Sequence, residues 1–400
     1  MVEKIWDKIY VITFNEERKY ILEDMTEREY GYWINNIPGI GMVWIGRLLD
    51  YFGCAKEVFD ASEEELAKID KLSQKNILAI QSSKNIDKIK KSMEVLKRKG
   101  IEFVLRNEEN YPKKLAEIYN PPWILYYRGD LPKDNMPSIG IVGARNCTEY
   151  GSIITRKLAC ELAQSGFQII SGMARGIDAY AHKGALEYEN GKTFGILGCG
   201  IDTCYPPENI DIFMQTIRNG GIISEYPMYT SARAGNFPMR NRIISGLSDA
   251  LLVVEARKKS GSLITVDLAL EQGKEVYVIP GRMDDPLSEG CNNLIKMGAK
   301  IVTCVEDILE DYNIDYSRII QHKTGIDSKD NLCTNNEENE ILLASDEKIV
   351  YACLRLEPKH MDEILYETQL GLSEVIRILF SLEEKNMVIS NRNNYYSRIK

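Results

Sequence analysis

The sequence lacks the features that mark membrane, secreted and metal-dependent proteins. No apolar run reaches the roughly 18 residues that a membrane helix needs, and the first residues do not form a secretory signal. Histidine is scarce, with three in 400 residues, and they are far apart in the sequence, at His182, His322 and His360. We therefore expect a cytoplasmic protein with no membrane contact, no bound metal and no metal catalysis.

Paired cysteines and excess positive charge are also missing. The nine cysteines are scattered without a C-x-x-C pair, which indicates reduced thiols. Lys and Arg number 50 against 59 Asp and Glu, a net charge of −9. Binding to the nucleic-acid backbone depends on cations, so this balance excludes a protein that coats nucleic acid with its whole surface, although a local basic groove remains compatible.

The composition itself, 44% hydrophobic and 27% charged, is that of a folded chain of two or three domains. Apolar strand patterns alternate with amphipathic helix patterns between Ser138 and Ile308, within a domain predicted over residues 101–310. This alternation predicts an α/β domain: a Rossmann-like parallel sheet with helices on both faces.

Smaller segments flank this predicted core. Residues 1–30 show no clear pattern beyond a short strand signal, and residues 31–100 read as short helices of a helix-hairpin-helix or SAM-like domain. Residues 311–344 are polar and read as a linker. Residues 345–400 follow the order of three helices and a two-stranded wing, which predicts a winged-helix domain.

Ligands of open parallel sheets bind beyond the carboxyl ends of the strands. The loops predicted there are rich in glycine and in cations, namely Arg145, Arg175, Arg240, Arg242, Arg257, Lys258, Lys259 and Arg282. Backbone approaches a phosphate most closely at glycine, so this edge is predicted to bind an anion. The alternative is that these charges are merely solvated loop residues.

Phe237 lies among Asn236, Arg240, Asn241 and Arg242. An aromatic face among guanidinium groups suits single-stranded nucleic acid, because bases stack on the ring while cations meet the phosphates. The competing interpretation is that Phe237 fills the core beside its neighbouring proline.

Two motifs resemble nucleotide-binding loops but depart from them. GILGCGID lacks the third glycine of a dinucleotide fingerprint, and NGKT lacks the leading glycine of a phosphate loop and precedes a strand. We therefore expect no nucleotide cofactor.

A catalytic set is equally hard to assemble. Asp178 and His182 are four residues apart on one helix and suit an acid and a base, or else a helix-start acid and a packed histidine. Glu255 at a strand end is either catalytic or paired with Arg240 or Arg242. A Rossmann-like nucleotide or nucleoside hydrolase acting on a phosphorylated small molecule is thus the alternative function.

The flanking segments offer other contacts. IPGIG at residues 37–41 fits a hairpin whose backbone N–H groups hold a DNA phosphate, or a simple scaffold turn. The third predicted helix of the C-terminal segment carries Glu374, Glu383 and Glu384 against Arg377, which suits a protein contact better than a DNA groove. A pure protein adaptor is therefore a third possible class.

Longer strings carry a family resemblance. VGARNCTEYG, SGMARGIDAYAHKGAL, GILGCGIDTCYPPEN, ISEYP, FPMRNRIISGLSDALLVVEA, SGSLITVDLALEQGKEVYVIPG and GCNNLIKMGA occur in this order over residues 101–309. Together they closely resemble the DNA-processing protein A (DprA/Smf) family.

The resemblance implies a mediator of natural transformation and recombination and not an enzyme. Such a mediator binds and protects incoming single-stranded DNA, dimerises through the Rossmann-like domain and loads the RecA recombinase. Carried over residue by residue, the DNA site comprises Gly143, Arg145, Ser171, Gly172, Arg175, Phe237, Arg240, Asn241, Arg242, Lys259, Ser260, Gly261 and Ser262.

Overall fold

A computed structural model describes residues 25–314, 345–354, 358–368, 370–385, 387–391 and 394–398. The short strand signal at residues 9–14 and most of the predicted linker lie outside these ranges. In the described ranges no helix combines the length and the apolar composition needed to span a bilayer.

Among the described residues, six helices precede the sheet. They are α1 (Glu27–Asn35), α2 (Met42–Phe52), α3 (Ala55–Asp60), α4 (Glu63–Leu66), α5 (Gln74–Ser83) and α6 (Ile86–Arg98). Thr26 and Glu29 form a capping box at the start of α1, which explains why the helix begins there. Helix α1 therefore starts before residue 31, where the helical region was predicted to begin.

The turn between α1 and α2 contains the IPGIG sequence, with Gly39 at φ +83°. Glycine adopts this left-handed conformation without steric cost, so the two helices are joined as a hairpin. Apolar side chains of the helical region share one core with Phe103 and Tyr126 of the following sheet. The helical region thus packs directly on the edge of that sheet.

Nine strands form the central sheet. They are β1 (Glu102–Leu105), β2 (Ile124–Gly129), β3 (Ser138–Gly143), β4 (Gln168–Gly172), β5 (Lys192–Ile196), β6 (Gly221–Ser224), β7 (Ala250–Val254), β8 (Glu275–Val278) and β9 (Lys300–Ile301). Their spatial order is β1-β2-β6-β5-β4-β3-β7-β8-β9. Strands β3 to β9 are parallel, whereas β1 and β2 add an antiparallel edge. The predicted α/β, mostly parallel architecture is confirmed.

The helices of this domain are α7 (Lys113–Ala116), α8 (Glu149–Gln164), α9 (Ile177–Glu187), α10 (Ile210–Asn219), α11 (Asn236–Leu247), α12 (Gly261–Glu271), α13 (Glu289–Lys296) and α14 (Glu306–Leu309). Alternate residues of β3 explain the two layers: Ile139 and Ile141 pack towards α8 and α9, and Val142 packs towards α11 and α12. From β3 the chain proceeds to one side through β4, β5 and β6, and then returns to the other side with β7. This reversal opens a crevice at the carboxyl ends of β3 and its neighbours.

The C-terminal segment contains α15 (Ser345–Cys353), β10 (Lys359–His360), α16 (Met361–Thr368), α17 (Leu372–Glu384), β11 (Val388–Asn391) and β12 (Tyr395–Arg398). Its strands form a separate sheet in the order β10-β12-β11. A separate apolar cluster, centred on Val350, Ile364 and Leu379, holds it together. The element order agrees with the winged-helix expectation, which stays a prediction.

Candidate functional site

A cavity of about 620 Å³ lies in the crevice at the carboxyl end of β3. We call it the basic pocket. Of the residues predicted to bind DNA, its lining includes Gly143, Arg145, Phe237, Arg240, Asn241, Lys259, Ser260, Gly261 and Ser262. A smaller adjoining cavity of about 130 Å³ shares Arg145, Tyr205 and Phe237 with the basic pocket and adds Arg175 to the wall. The structure therefore brings most of the predicted site residues together from four segments of the chain.

Phe237 occupies the centre of the wall and is only partly buried. Its ring packs so closely on Gly198 that a Cβ there would lie 2.8 Å from the ring. The Tyr205 ring centroid is 5.7 Å away, and the Arg145 guanidinium carbon lies 5.6 Å from the Phe237 ring centroid. Phe237 thus combines the two interpretations, because one side of its ring is packed and the ring still lines the pocket.

Arg240 forms the floor. Its guanidinium is buried and donates from Nη1 to the Ile196 carbonyl at 2.6 Å. Burial lowers the pKa of Arg240, and the nearby Asp178 carboxylate opposes that shift. A Cβ on Gly172 would collide with both side chains, so this position requires glycine.

Ser171 and Gly172 support the pocket from below and do not line it. The Ser171 hydroxyl is buried and donates to the Ile141 carbonyl at 2.6 Å. The Gly172 carbonyl faces the His182 ring at 2.7 Å from Nε2. We therefore interpret this pair as scaffold for the pocket floor.

The N-termini of two helices in the wall favour a negatively charged ligand in the pocket. Helices α11 and α12 begin in its wall, and neither has an acidic residue in its first turn. Free N–H groups and the helix dipole favour negative charge at such ends. Ser260 caps α12, accepting a hydrogen bond from the Ser262 N–H at 3.4 Å.

The predicted gathering of cations needs a correction at Arg242. Its side chain is buried away from the pocket and pairs with Glu225, Nη2 to Oε2 at 2.5 Å. The same Nη2 lies 3.4 Å from Met42 Sδ at the start of α2. Helix geometry explains this, because Arg240 and Arg242 are two residues apart and point about 200° apart around α11.

Other predicted cations are neutralised locally. Arg175 pairs with Glu208, its Nε donating at 2.6 Å, while Lys258 pairs with Glu289 and Arg282 with Asp284. In the part of the chain that the structure describes, no ion pair involves Arg145, Arg257 or Lys259. Arg145 and Lys259 are therefore the exposed cations that the pocket itself presents.

The proposed acid and base do not form a catalytic pair. His182 is fully buried, with Nδ1 2.7 Å from the Thr193 hydroxyl and Nε2 committed to Gly172. Burial lowers its pKa to about 4, so the ring is neutral at pH 7. Burial raises the pKa of Asp178, with Arg240 and Arg145 acting in the opposite direction. His182 is a packed histidine, as the structural interpretation expected.

The Cys199 thiol and Glu255, the remaining candidate acid, also have structural contacts. The Cys199 thiol is buried, its pKa raised by burial to about 11, and it contacts the Thr203 carbonyl. The expectation that Glu255 pairs with Arg240 or Arg242 is wrong. Its carboxylate accepts hydrogen bonds from the backbone N–H of Thr148, at 2.8 Å, and from the Thr148 hydroxyl.

Glu255 belongs to a second cavity of about 620 Å³ beside β7 and β8. We call it the acidic cavity, since its lining carries Glu149, Glu255 and Asp285 against Arg282. Glu255 has φ +53°, an uncommon backbone conformation for a residue with a side chain.

Tyr205 is a residue of the pocket wall that the sequence did not assign. It is 46% exposed and stands beside Phe237. The CYPP string containing it was visible, but nothing in the local pattern showed that the loop after β5 reaches α11.

Comparison with known proteins decides the family. The profile of the family described as DNA recombination-mediator protein A matches residues 102–313. The chain belongs to this family. Protein Smf of Synechocystis is 34% identical to it, covering 94% of this chain and all of that protein.

Other family members agree with this assignment. The DNA processing protein DprA of Streptococcus pneumoniae is 40% identical over 51% of this chain and 72% of its own length. The X-ray structure of DprA from the same species matches with a TM-score of 0.61 and 32% identity, covering 72% of this chain and 98% of that one. The chain is therefore a DNA-processing recombination mediator.

Proposed function

We propose that the protein binds single-stranded DNA in the basic pocket, protects incoming strands and loads them with the RecA recombinase during natural transformation in the cytoplasm. One observation carries the DNA-binding step. The partly exposed Phe237 ring lies 5.7 Å from the Tyr205 ring and 5.6 Å from the Arg145 guanidinium carbon, in a cavity whose wall contains the starts of two helices.

The residues suggest separate roles. Arg145 and Lys259 meet the phosphates because both side chains are exposed cations, and the helix dipoles at the start of α11 and α12 add positive potential there. Phe237 stacks on a base, an interaction worth about 1–3 kcal/mol. A base stacks on a side chain in this way only when it is unpaired, so we expect the site to favour single strands over duplex.

The test is a fluorescence anisotropy titration of a labelled oligothymidine against salt. Phe237→Ala is expected to weaken binding by about 5- to 150-fold, the stacking energy expressed as affinity. Arg145→Ala is expected to weaken binding and to reduce the log–log salt slope by about 0.7, since one phosphate contact is lost.

Arg218→Ala is the matched control, because Arg218 is an exposed arginine in the last turn of α10 and does not line the pocket. It should leave affinity and slope unchanged. If Arg145→Ala and Phe237→Ala behaved like this control, or if duplex bound as well as single strand, the DNA site would have to lie elsewhere.

We also propose that the protein acts as a homodimer through the Rossmann-like domain. Met297 and Ile301 support this, since they are 77% and 45% exposed beside β9, the strand at the free edge of the sheet. Light scattering should show a dimer for the full chain and a monomer for the Ile301→Asp variant.

RecA loading should appear as faster strand exchange on DNA covered by single-strand-binding protein, and its absence would restrict the function to DNA protection.

A further inference from the structure

Tyr229, in the loop between β6 and α11, is an aromatic side chain left in solvent. It is 73% exposed, and its backbone has φ +65°. Bulky residues rarely adopt this left-handed conformation, where glycine or asparagine would be unstrained. Backbone preference therefore does not explain a tyrosine at this position.

The loop holds this tyrosine in a fixed place. Its N–H donates to Asp202 Oδ1 at 2.9 Å. Lys99, which follows α6, lies with Nζ 4.7 Å from the Tyr229 ring centroid and 3.5 Å from Asp202 Oδ2. An aromatic ring and a cation are thus combined here, as Phe237 and Arg145 are combined in the basic pocket.

Tyr229 is close to the basic pocket along two segments. Ala232, three residues further on, lines the pocket, and three residues of extended chain span at most about 11 Å. Asp202, which anchors Tyr229, is three residues before Tyr205 of the pocket wall. A strand leaving the pocket on this side meets Tyr229 within a few nucleotides.

The end of α6 carries two further cations next to Lys99 in the sequence. Lys97, Arg98 and Lys99 are all exposed, and within the described ranges no ion pair involves Lys97 or Arg98. Cations in a last helical turn also suit the helix dipole. The helix dipole accounts for three cations at the end of α6, but it does not account for the exposed Tyr229 ring beside Lys99.

We propose that Tyr229 together with Lys97, Arg98 and Lys99 forms a second platform for the same single DNA strand, beyond the basic pocket. This rests on the proposed function. A base stacks on the open part of the Tyr229 ring, and the lysines and arginine meet the flanking phosphates. The helical region thereby becomes part of the DNA path and is not only a support for the sheet.

The test is the affinity of the full chain for oligothymidines of increasing length, from two to about twelve nucleotides. In the unmodified protein, affinity should rise by at least about fivefold at the length that reaches Tyr229. Tyr229→Gly should lack this step yet equal the unmodified protein at shorter lengths. Glycine suits the backbone here, so folding is not at risk, and Tyr229→Phe should retain the step.

Charge and position are tested separately. Lys97→Ala with Arg98→Ala should lower the salt slope for long strands by about 1.4, the value for two phosphates, and leave short strands unaffected. Tyr119→Gly is the control, because Tyr119 is 93% exposed and does not line the basic pocket. Photo-crosslinking of 5-iododeoxyuridine in a long strand should label Tyr229.

The outcomes separate the two proposals. If the unmodified protein bound no oligothymidine of any length, the proposed DNA function would fail. If it bound them, and the length series of Tyr229→Gly coincided with that of the unmodified protein, the second platform would be overturned while the pocket stood. Loss of the step in Tyr119→Gly as well would also overturn it, since the effect would not be specific to Tyr229.

Discussion

The basic pocket and the acidic cavity are two openings of about 620 Å³ at the same edge of one sheet, yet they carry opposite charge. The first presents Arg145, Arg240 and Lys259 around Asp178. The second presents three carboxylates and an arginine that is paired with Asp284. The parallel sheet creates space at its carboxyl edge, but the loops decide which ligand that space accepts.

The two openings also differ in how their polar groups are used. Glu255 in the acidic cavity accepts its hydrogen bonds from Thr148 and so fixes the start of α8. In the basic pocket, Arg145 is exposed and the Nε of Arg240 has no partner among the described residues. Hydrogen-bonded groups such as Glu255 stabilise the fold, whereas the exposed Arg145 is available to a ligand.

The largest effect on stability is expected from replacing Arg242, which lines neither the basic pocket nor the acidic cavity. Arg242→Ala leaves Glu225 buried without its partner, and we expect the free energy of unfolding to fall by about 3–5 kcal/mol. Urea denaturation measures this. Oligothymidine affinity per folded molecule should be unchanged, because Arg242 does not line the pocket.

A loss of DNA affinity in correctly folded Arg242→Ala would break the comparison, because charge outside the pocket would then be needed. Replacing Arg242 and Glu225 together by Met and Leu is the matched control. It removes both charges and should recover much of the lost stability.

An intermediate effect on the free energy of unfolding is expected when the pH is lowered, because His182 is buried beneath the basic pocket. Burial lowers the pKa of His182 to about 4, below the ordinary value of 6.5. The unfolded chain therefore takes up a proton first as pH falls. Stability is complete above pH 6.5 and declines between pH 6.5 and 4, by about 2 kcal/mol at pH 5.

Urea denaturation at pH 7 and pH 5 checks this, with His182→Gln as the control that lacks the titrating ring. The difference between the two pH values should be smaller by about 2 kcal/mol in the variant. An equal difference in both proteins would mean that other groups control the pH dependence.

The smallest effect is expected in the acidic cavity. Thr148 accepts a hydrogen bond from the Gly151 N–H at 3.0 Å and caps α8, so Thr148→Ala should cost about 1–2 kcal/mol of unfolding free energy. Thr148→Ser keeps the cap and should retain the stability. Oligothymidine affinity should be unchanged in both, and a weaker affinity in Thr148→Ala would show that the two openings are coupled.

Local pattern was sufficient to predict the sheet and its helices. The apolar runs at β3, β4, β5 and β7 are buried strands, as their alternation with amphipathic helices predicted. Local pattern also placed Arg145, Phe237 and Lys259 at the carboxyl edge of the sheet, and all three line the basic pocket. Local pattern could not separate Arg240 from Arg242, since both lie near the start of one helix and only the packing of that helix decides their directions.

The sequence by itself determined the fold class and the residues available at the sheet edge, because strand and helix periodicity and chain order are local properties. Only the tertiary structure decided which cations stay exposed, that Glu255 holds the residue that caps α8, and that Tyr205 lines the pocket beside Phe237. Those outcomes depend on contacts between segments far apart in the chain, which no local pattern records.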